Sequence, residues 1–138
     1  MKRHEMRRLA LQALYQVDVG KAEVVPAVDH VLAESDGVAA EHERKYILTL
    51  TGGVRSQVIE LDDLLETHVQ GWKIDRIARV DLNILRLALY ELLYQQDVDF
   101  ATVVDEAVEL AKHFSTEESG KFVNGVLARL LPIAQERR

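Results

Sequence analysis

No cysteine occurs among the 138 residues. Disulfides, thiolate nucleophiles and thiolate metal sites are therefore excluded, which fits a reducing compartment. Proline occurs only twice, so long helices are permitted. Aromatic residues make up 6% of the chain, and the core must be largely aliphatic. No apolar run approaches the roughly 20 residues needed to span a bilayer. The opening MKRHEMRRLALQALYQVDVG is basic and then apolar, in the manner of a secretory signal. Gln12, Gln16 and Asp18 interrupt its apolar part, however, so the continuous segment of a signal is missing and a cytoplasmic protein is expected.

Catalytic signatures are also lacking. The histidines at 4, 30, 42, 68 and 113 show no helical pairing, and neither HExxH nor GxSxG occurs. The Gly120-Lys121 pair is not the end of a phosphate loop. Ser stands at 115 where that loop needs Gly, Phe122 follows the lysine, and no strand pattern precedes it. Asp62-Asp63 and Glu117-Glu118 are adjacent carboxylates, but neighbours on a helix point about 100° apart and read as solvated faces. No enzyme, cofactor or metal site is expected.

Hydrophobic residues make up 48% of the chain, which argues against disorder and suits one domain with its own core. Their spacing is helical throughout. Met6, Leu9, Ala10, Ala13, Leu14 and Val17 fall on one stripe of a helix over 3–19, ended by Gly20. His4, Arg8, Leu11 and Tyr15 form a neighbouring row on a face that the core does not need. A second helix fits 26–34, with Pro26 in a favoured first-turn position. From 41 to 69, Tyr46, Leu50, Val54, Val58, Leu61, Leu65 and Val69 recur at steps of three and four. Gly52-Gly53 within that stretch either admits a close helix approach or marks a bend, and a break within 56–62 fits the pattern as well. Gly71-Trp72 reads as a turn and 74–78 as a single helical turn. VDLNILRLALYELLYQ, residues 80–95, is apolar nearly all round, as a helix surrounded by others is. A loop over 95–100, a helix over 102–114, and a last helix ending near Pro132 complete the chain. Period-2 alternation is absent, so the fold class is all-α, with six to seven helices around 80–94.

The net charge of −6 is unevenly spread. Lys2, Arg3, Arg7 and Arg8 against Glu5 give residues 1–8 a charge of +3, which leaves −9 for the remainder. A basic arm on an acidic body can bind nucleic acid locally without coating it, or can serve only as a solubilising terminus. Lys121-Phe122 follows a polar turn. A cation beside an aromatic ring suits single-stranded nucleic acid, one neutralising phosphate and the other stacking on a base, although Phe122 also fits a core position. Asn124-Gly125 lies within the last helix, where Gly costs about 1 kcal/mol against Ala. A tight helix crossing there would explain it.

Three blocks carry a family resemblance. RRLALQALYQVD (7–18), VDLNILRLALYEL (80–92) and DEAVELAKHFSTEESGKFVNGVL (105–127) resemble the first helix, the buried central helix and the last two helices of the NusB family of bacterial transcription antitermination factors. The resemblance covers nearly the whole chain and implies two packed helical sub-bundles without catalysis, here one RNA-binding domain over 1–138 with a basic N-terminal arm. It also implies binding of the boxA element of ribosomal RNA leader transcripts, as single-stranded RNA, together with NusE, a small-subunit ribosomal protein. RNA polymerase and other Nus factors would be engaged indirectly, to read through terminators. Carried over by position, the RNA-contacting residues are Lys2, Arg3, His4, Arg7, Arg8, Glu118, Lys121 and Phe122. The NusE contacts are Tyr15, Asp81 and Asp75. The sequence departs from the family pattern at Val17, where Trp is frequent, at Leu82, where a basic residue is common, at Asp105, where Asn is usual, and at Glu118, often Asp. Two rival readings are a helical interaction scaffold with a merely solubilising arm, and the NusB-like domain of a ribosomal RNA methyltransferase.

Overall fold

Helical spacing of apolar residues, with few breakers, gives seven α-helices and no strand among the described residues of the computed structural model, which are 1–69 and 73–138. The turn expected at Gly71-Trp72 lies outside them. The chain divides into two compact units, Met1–Ser56 and Gln57–Arg138.

In the first unit, α1 (Arg3–Asp18), α2 (Val24–Glu34) and α3 (Glu41–Ser56) pack pairwise on one another. Met6, Leu9, Ala10, Ala13 and Leu14 are buried as the stripe predicts, with Ala27, Val28 and Val31 of α2 and Ile47, Leu50 and Val54 of α3. Each fully buried Leu or Ile contributes about 1.5–3 kcal/mol. α1 ends at Asp18, and Gly20 follows where a Cβ would lie 2.8 Å from the Gln16 carbonyl oxygen. Pro26 sits in the first turn of α2, where backbone N–H groups lack helical partners anyway. Leu11 departs from expectation, being buried rather than on a free face. Arg7 and Leu11 are buried beside the stripe, so the buried arc of α1 is wider than one apolar stripe.

In the second unit, α5 (Arg79–Tyr94) is the central helix, packing on α4 (Val58–His68), α6 (Phe100–Phe114) and α7 (Glu117–Arg137), with α6 also against α7. A short 3₁₀ turn, Ile74–Arg76, precedes it. Leu82, Ile84, Leu85, Leu87, Leu89 and Leu92 are fully buried, and the polar Asp81, Asn83, Arg86 and Glu91 are buried with them.

Three boundaries differ from the sequence reading: the start of α2, at Val24 and not 26, the start of α6 and the end of α7. The stretch 41–69 is two helices, broken at Gln57, whose φ of −104° and ψ of 14° leave the helical region. The break falls within the 56–62 span where the sequence reading allowed one, and Val54 before it and Leu61 after it are both buried. Gly52 neither bends α3 nor admits a neighbour, since nothing lies within 4 Å of an added Cβ. α6 begins at Phe100 because Asp99 caps it, its side chain accepting from the Thr102 N–H at 2.8 Å. The last helix continues through Pro132 to Arg137. Pro132 is on the exposed side, and Leu130 and Ala134 keep the helix anchored in the core.

Arg138 fastens the far end of α5. Its guanidinium donates to the carbonyls of Glu91, Leu92, Gln95, Gln96 and Val98 and lies 4.4 Å over the Phe100 ring. Carbonyls at a helix C-terminus lack helical donors, and a cation there also opposes the negative end of the helix dipole. Arg138→Ala is expected to lower the unfolding free energy by about 1 kcal/mol in urea denaturation. An unchanged midpoint would show that water satisfies those carbonyls equally well.

Candidate nucleic-acid interface

The basic arm is the first turn of a helix. Lys2 is the extended N-cap of α1, and Arg3, His4 and Glu5 form its opening turn. Lys2, Arg3 and His4 are exposed and Arg8 is half-buried. Two contacts tie this end to α3. The Met1 ammonium pairs with Glu43 at 2.6 Å, and the Arg3 guanidinium lies 5.0 Å from the centre of the Tyr46 ring. The ammonium, and then the Ala40 N–H at 2.8 Å, hold the Glu43 carboxyl below its ordinary range. Cations at a helix N-terminus oppose the helix dipole, and Glu5 is the one acidic residue of that turn. This placement works against helix stability and needs a reason other than folding.

Arg7 departs from the exposed arm. It is 3% exposed, buried together with Leu11. Arg7 thus lies in the packing of α1, beneath the exposed Lys2, Arg3 and His4 and the half-buried Arg8. Tyr15 is 40% exposed, two turns along from Arg8 on the same row.

In the second unit the polar turn 115–120 is the start of α7. Thr116 is its N-cap and accepts from the Ser119 N–H at 3.0 Å. Glu118 and Lys121, one turn apart and both exposed, pair at 3.4 Å; Phe122 beside them is half-buried. The tight packing point is Gly120 and not Gly125. A Cβ on Gly120 would lie 3.0 Å from Lys112 Cγ and 3.6 Å from Val108 Cγ1, whereas Gly125 is exposed with nothing within 4 Å. The close crossing of α6 and α7 thus occurs in the first turn of α7, where it fixes the stretch carrying Lys121 and Phe122.

Asp81, in the first turn of α5, is 7% exposed. Its Oδ2 accepts from Ser119 Oγ at 3.2 Å, while Oδ1 is buried and makes no hydrogen bond among the described residues. Burial pushes its carboxyl above the ordinary range, and the Ser119 hydroxyl pulls partly the other way. Asp75 is exposed on the 3₁₀ turn. The fold therefore brings Asp81 against the first turn of α7, a meeting that sequence spacing does not reveal. Ser115, Thr116 and Ser119, which make that link, were missed by sequence reasoning. The available signal was T-x-x-S, an N-cap and third-position pair akin to a capping box.

A stability prediction follows from Asp81. A carboxyl whose folded-state value is raised favours the folded state most below about pH 3.8, its ordinary value, and loses that advantage as pH rises through the raised value. At neutral pH the buried carboxylate is a liability. Asp81→Asn should raise the melting temperature by a few degrees at neutral pH and leave it unchanged in acid, as calorimetry across pH would show. A neutral-pH loss would mean that the ionised form is held by the fold.

Among the described residues no three His, Asp or Glu side chains group as metal ligands, and no helix is long and apolar enough to cross a membrane. The chain matches the NusB family profile over residues 4–132. It belongs to the NusB family. It is 39% identical to the transcription antitermination protein NusB of Acetivibrio thermocellus, over 96% of this chain and 90% of that protein. The solved structure of NusB from T. maritima superposes with a TM-score of 0.87 at 32% identity, covering 96% of this chain and 92% of that one. A crystal structure of the antitermination factors NusB and NusE in complex with dsRNA superposes with a TM-score of 0.85 at 28% identity, over 96% and 99% of the two chains. The all-α architecture is that of these NusB structures.

Proposed function

We propose that this chain is a transcription antitermination factor that binds boxA-type single-stranded RNA of ribosomal RNA leader transcripts together with NusE, promoting read-through by RNA polymerase with other Nus factors. Its 138 residues act as one RNA-binding domain without catalysis. The observation that carries the reading is the set of exposed cations at the N-terminus of α1, placed where the helix dipole disfavours them. Lys121 and Phe122 add a cation and a ring at the start of α7. Lys2, Arg3, Arg8 and Lys121 provide about four phosphate contacts. The salt slope for a single strand would then be about −3, which is modest. RNA binding by this chain alone is accordingly weak, and a partner adding contacts tightens it. Tyr15, Asp75 and Asp81 are the proposed NusE contacts, and the −9 charge outside the arm complements a basic ribosomal protein and speeds encounter.

The test is fluorescence anisotropy of a boxA-type RNA and a scrambled RNA, with and without NusE. Specific binding that NusE tightens supports the reading. Equal affinity for both RNAs under both conditions would leave a helical interaction scaffold as the better account.

A further inference from the structure

We infer that Ser119 is a positioning residue that couples the RNA-contacting turn of α7 to the partner-contacting carboxylate of Asp81, so that RNA and NusE tighten each other's binding through one hydroxyl. The inference rests on the functional reading above and specifies how its two contact surfaces communicate.

The Ser119 hydroxyl has one proton and two acceptors within reach. Ser115 Oγ lies at 2.8 Å, where either atom can donate, and Asp81 Oδ2 at 3.2 Å. Thr116 Oγ1 donates to the same oxygen at 3.2 Å and accepts from the Ser119 N–H at 3.0 Å. The cluster therefore has two arrangements. In one, Ser115 and Thr116 both donate to Ser119, which donates to Asp81. In the other, Ser119 turns its proton to Ser115, and Asp81 loses the hydrogen bond its carboxylate makes. A buried carboxylate without donors is strongly disfavoured, so the second arrangement is the weaker one for any partner that needs Asp81 ionised.

Each ligand acts on this choice. NusE covering Asp81 removes what solvent its 7%-exposed carboxylate still meets, and because Oδ1 is buried without a hydrogen bond among the described residues, the Ser119 hydroxyl becomes the donor that the ionised form depends on and its proton is drawn towards Asp81. RNA acts from the other side. Glu118 and Lys121 flank Ser119 and Gly120, and their ion pair at 3.4 Å is exposed, so phosphate competes for Lys121 directly. Gly120 is packed against Lys112 and Val108, which leaves the turn little room to shift without moving the Ser119 hydroxyl. Two ligands that require one arrangement bind cooperatively, because the second meets a turn already set. Coupling of this kind is reciprocal.

The experiment measures boxA-type RNA affinity with and without saturating NusE, and NusE affinity with and without RNA, for the full chain, Ser119→Ala and Ser119→Thr. The wild-type chain should show the same mutual tightening, about fivefold or more, in both directions. In Ser119→Ala the mutual tightening should fall close to one, with NusE affinity alone also reduced because Asp81 loses its donor, and Ser119→Thr, which retains the hydroxyl, should restore both. Wild-type coupling in Ser119→Ala overturns the inference, as does a loss confined to the separate affinities, which would mark a structural role. Binding of both probes by the wild-type chain without mutual tightening overturns the coupling and leaves the functional reading standing. A wild-type chain that binds neither probe overturns both.

Discussion

Asp62→Ala should lower the unfolding free energy by about 3 kcal/mol, while Arg86→Met lowers it by less than about 1 kcal/mol. The two residues join α4 to α5 through a bidentate pair, Nε to Oδ1 at 2.8 Å and Nη2 to Oδ2 at 2.7 Å. The asymmetry follows from unequal burial, since the Arg86 side chain is 8% exposed and that of Asp62 25%. Removing Asp62 takes from a buried guanidinium the carboxylate that accepts two of its hydrogen bonds. Removing Arg86 in favour of Met fills the same volume with apolar atoms, and the Asp62 carboxylate is near enough to solvent to be hydrated. Urea denaturation followed by circular dichroism measures both. If Arg86→Met proves the costlier change, the remaining contacts of Arg86 and not the ion pair hold α5, and the burial argument fails.

Phe122→Ala should weaken boxA-type RNA binding by about thirtyfold, the middle of the range for one base stacked on an aromatic ring. Lys121→Gln should weaken it less and make the salt slope shallower by about 0.7, the share of one phosphate on a single strand. Lys45→Gln, which removes an exposed cation of α3 outside the proposed site, is the control and should change neither. Phe122 is half-buried, so its truncation also touches packing, and Phe122→Leu separates the two roles. Leu keeps apolar volume and loses the flat ring. Lost RNA affinity at wild-type stability in that variant identifies stacking. Retained affinity would assign Phe122 to the core and leave RNA contact to the cations.

The helices were legible because a helix of a small domain must bury one face, and that requirement writes a period into the sequence. α5 was readable as the central helix from Leu82 to Leu93, and its burial on all sides follows. Boundaries were less legible where the signal depends on phase. The break at Gln57 was legible only as a span, 56–62, because Val54 and Leu61 on either side of it are both buried. Pro132 suggested an end where α7 continues, because its ring lies on the exposed side while Leu130 and Ala134 are held in the core.

For the candidate site, the sequence by itself determined the residue chemistry, namely cations gathered in residues 1–8, a lysine beside a ring at 121–122, and an acidic remainder. These are properties of composition and neighbourhood along the chain, and they need no fold to be seen. Only the tertiary structure decided which of those groups are available. Arg7 and Arg8 are adjacent in sequence, yet one is buried and the other half-exposed, since about 100° of helix rotation separates them. Asp81 and Ser119 are 38 positions apart and share a hydrogen bond, a contact made by packing α5 against α7. Gly120 and not Gly125 carries the close approach, because that depends on where a second helix crosses, and crossing points are fixed by side chains distant in the chain.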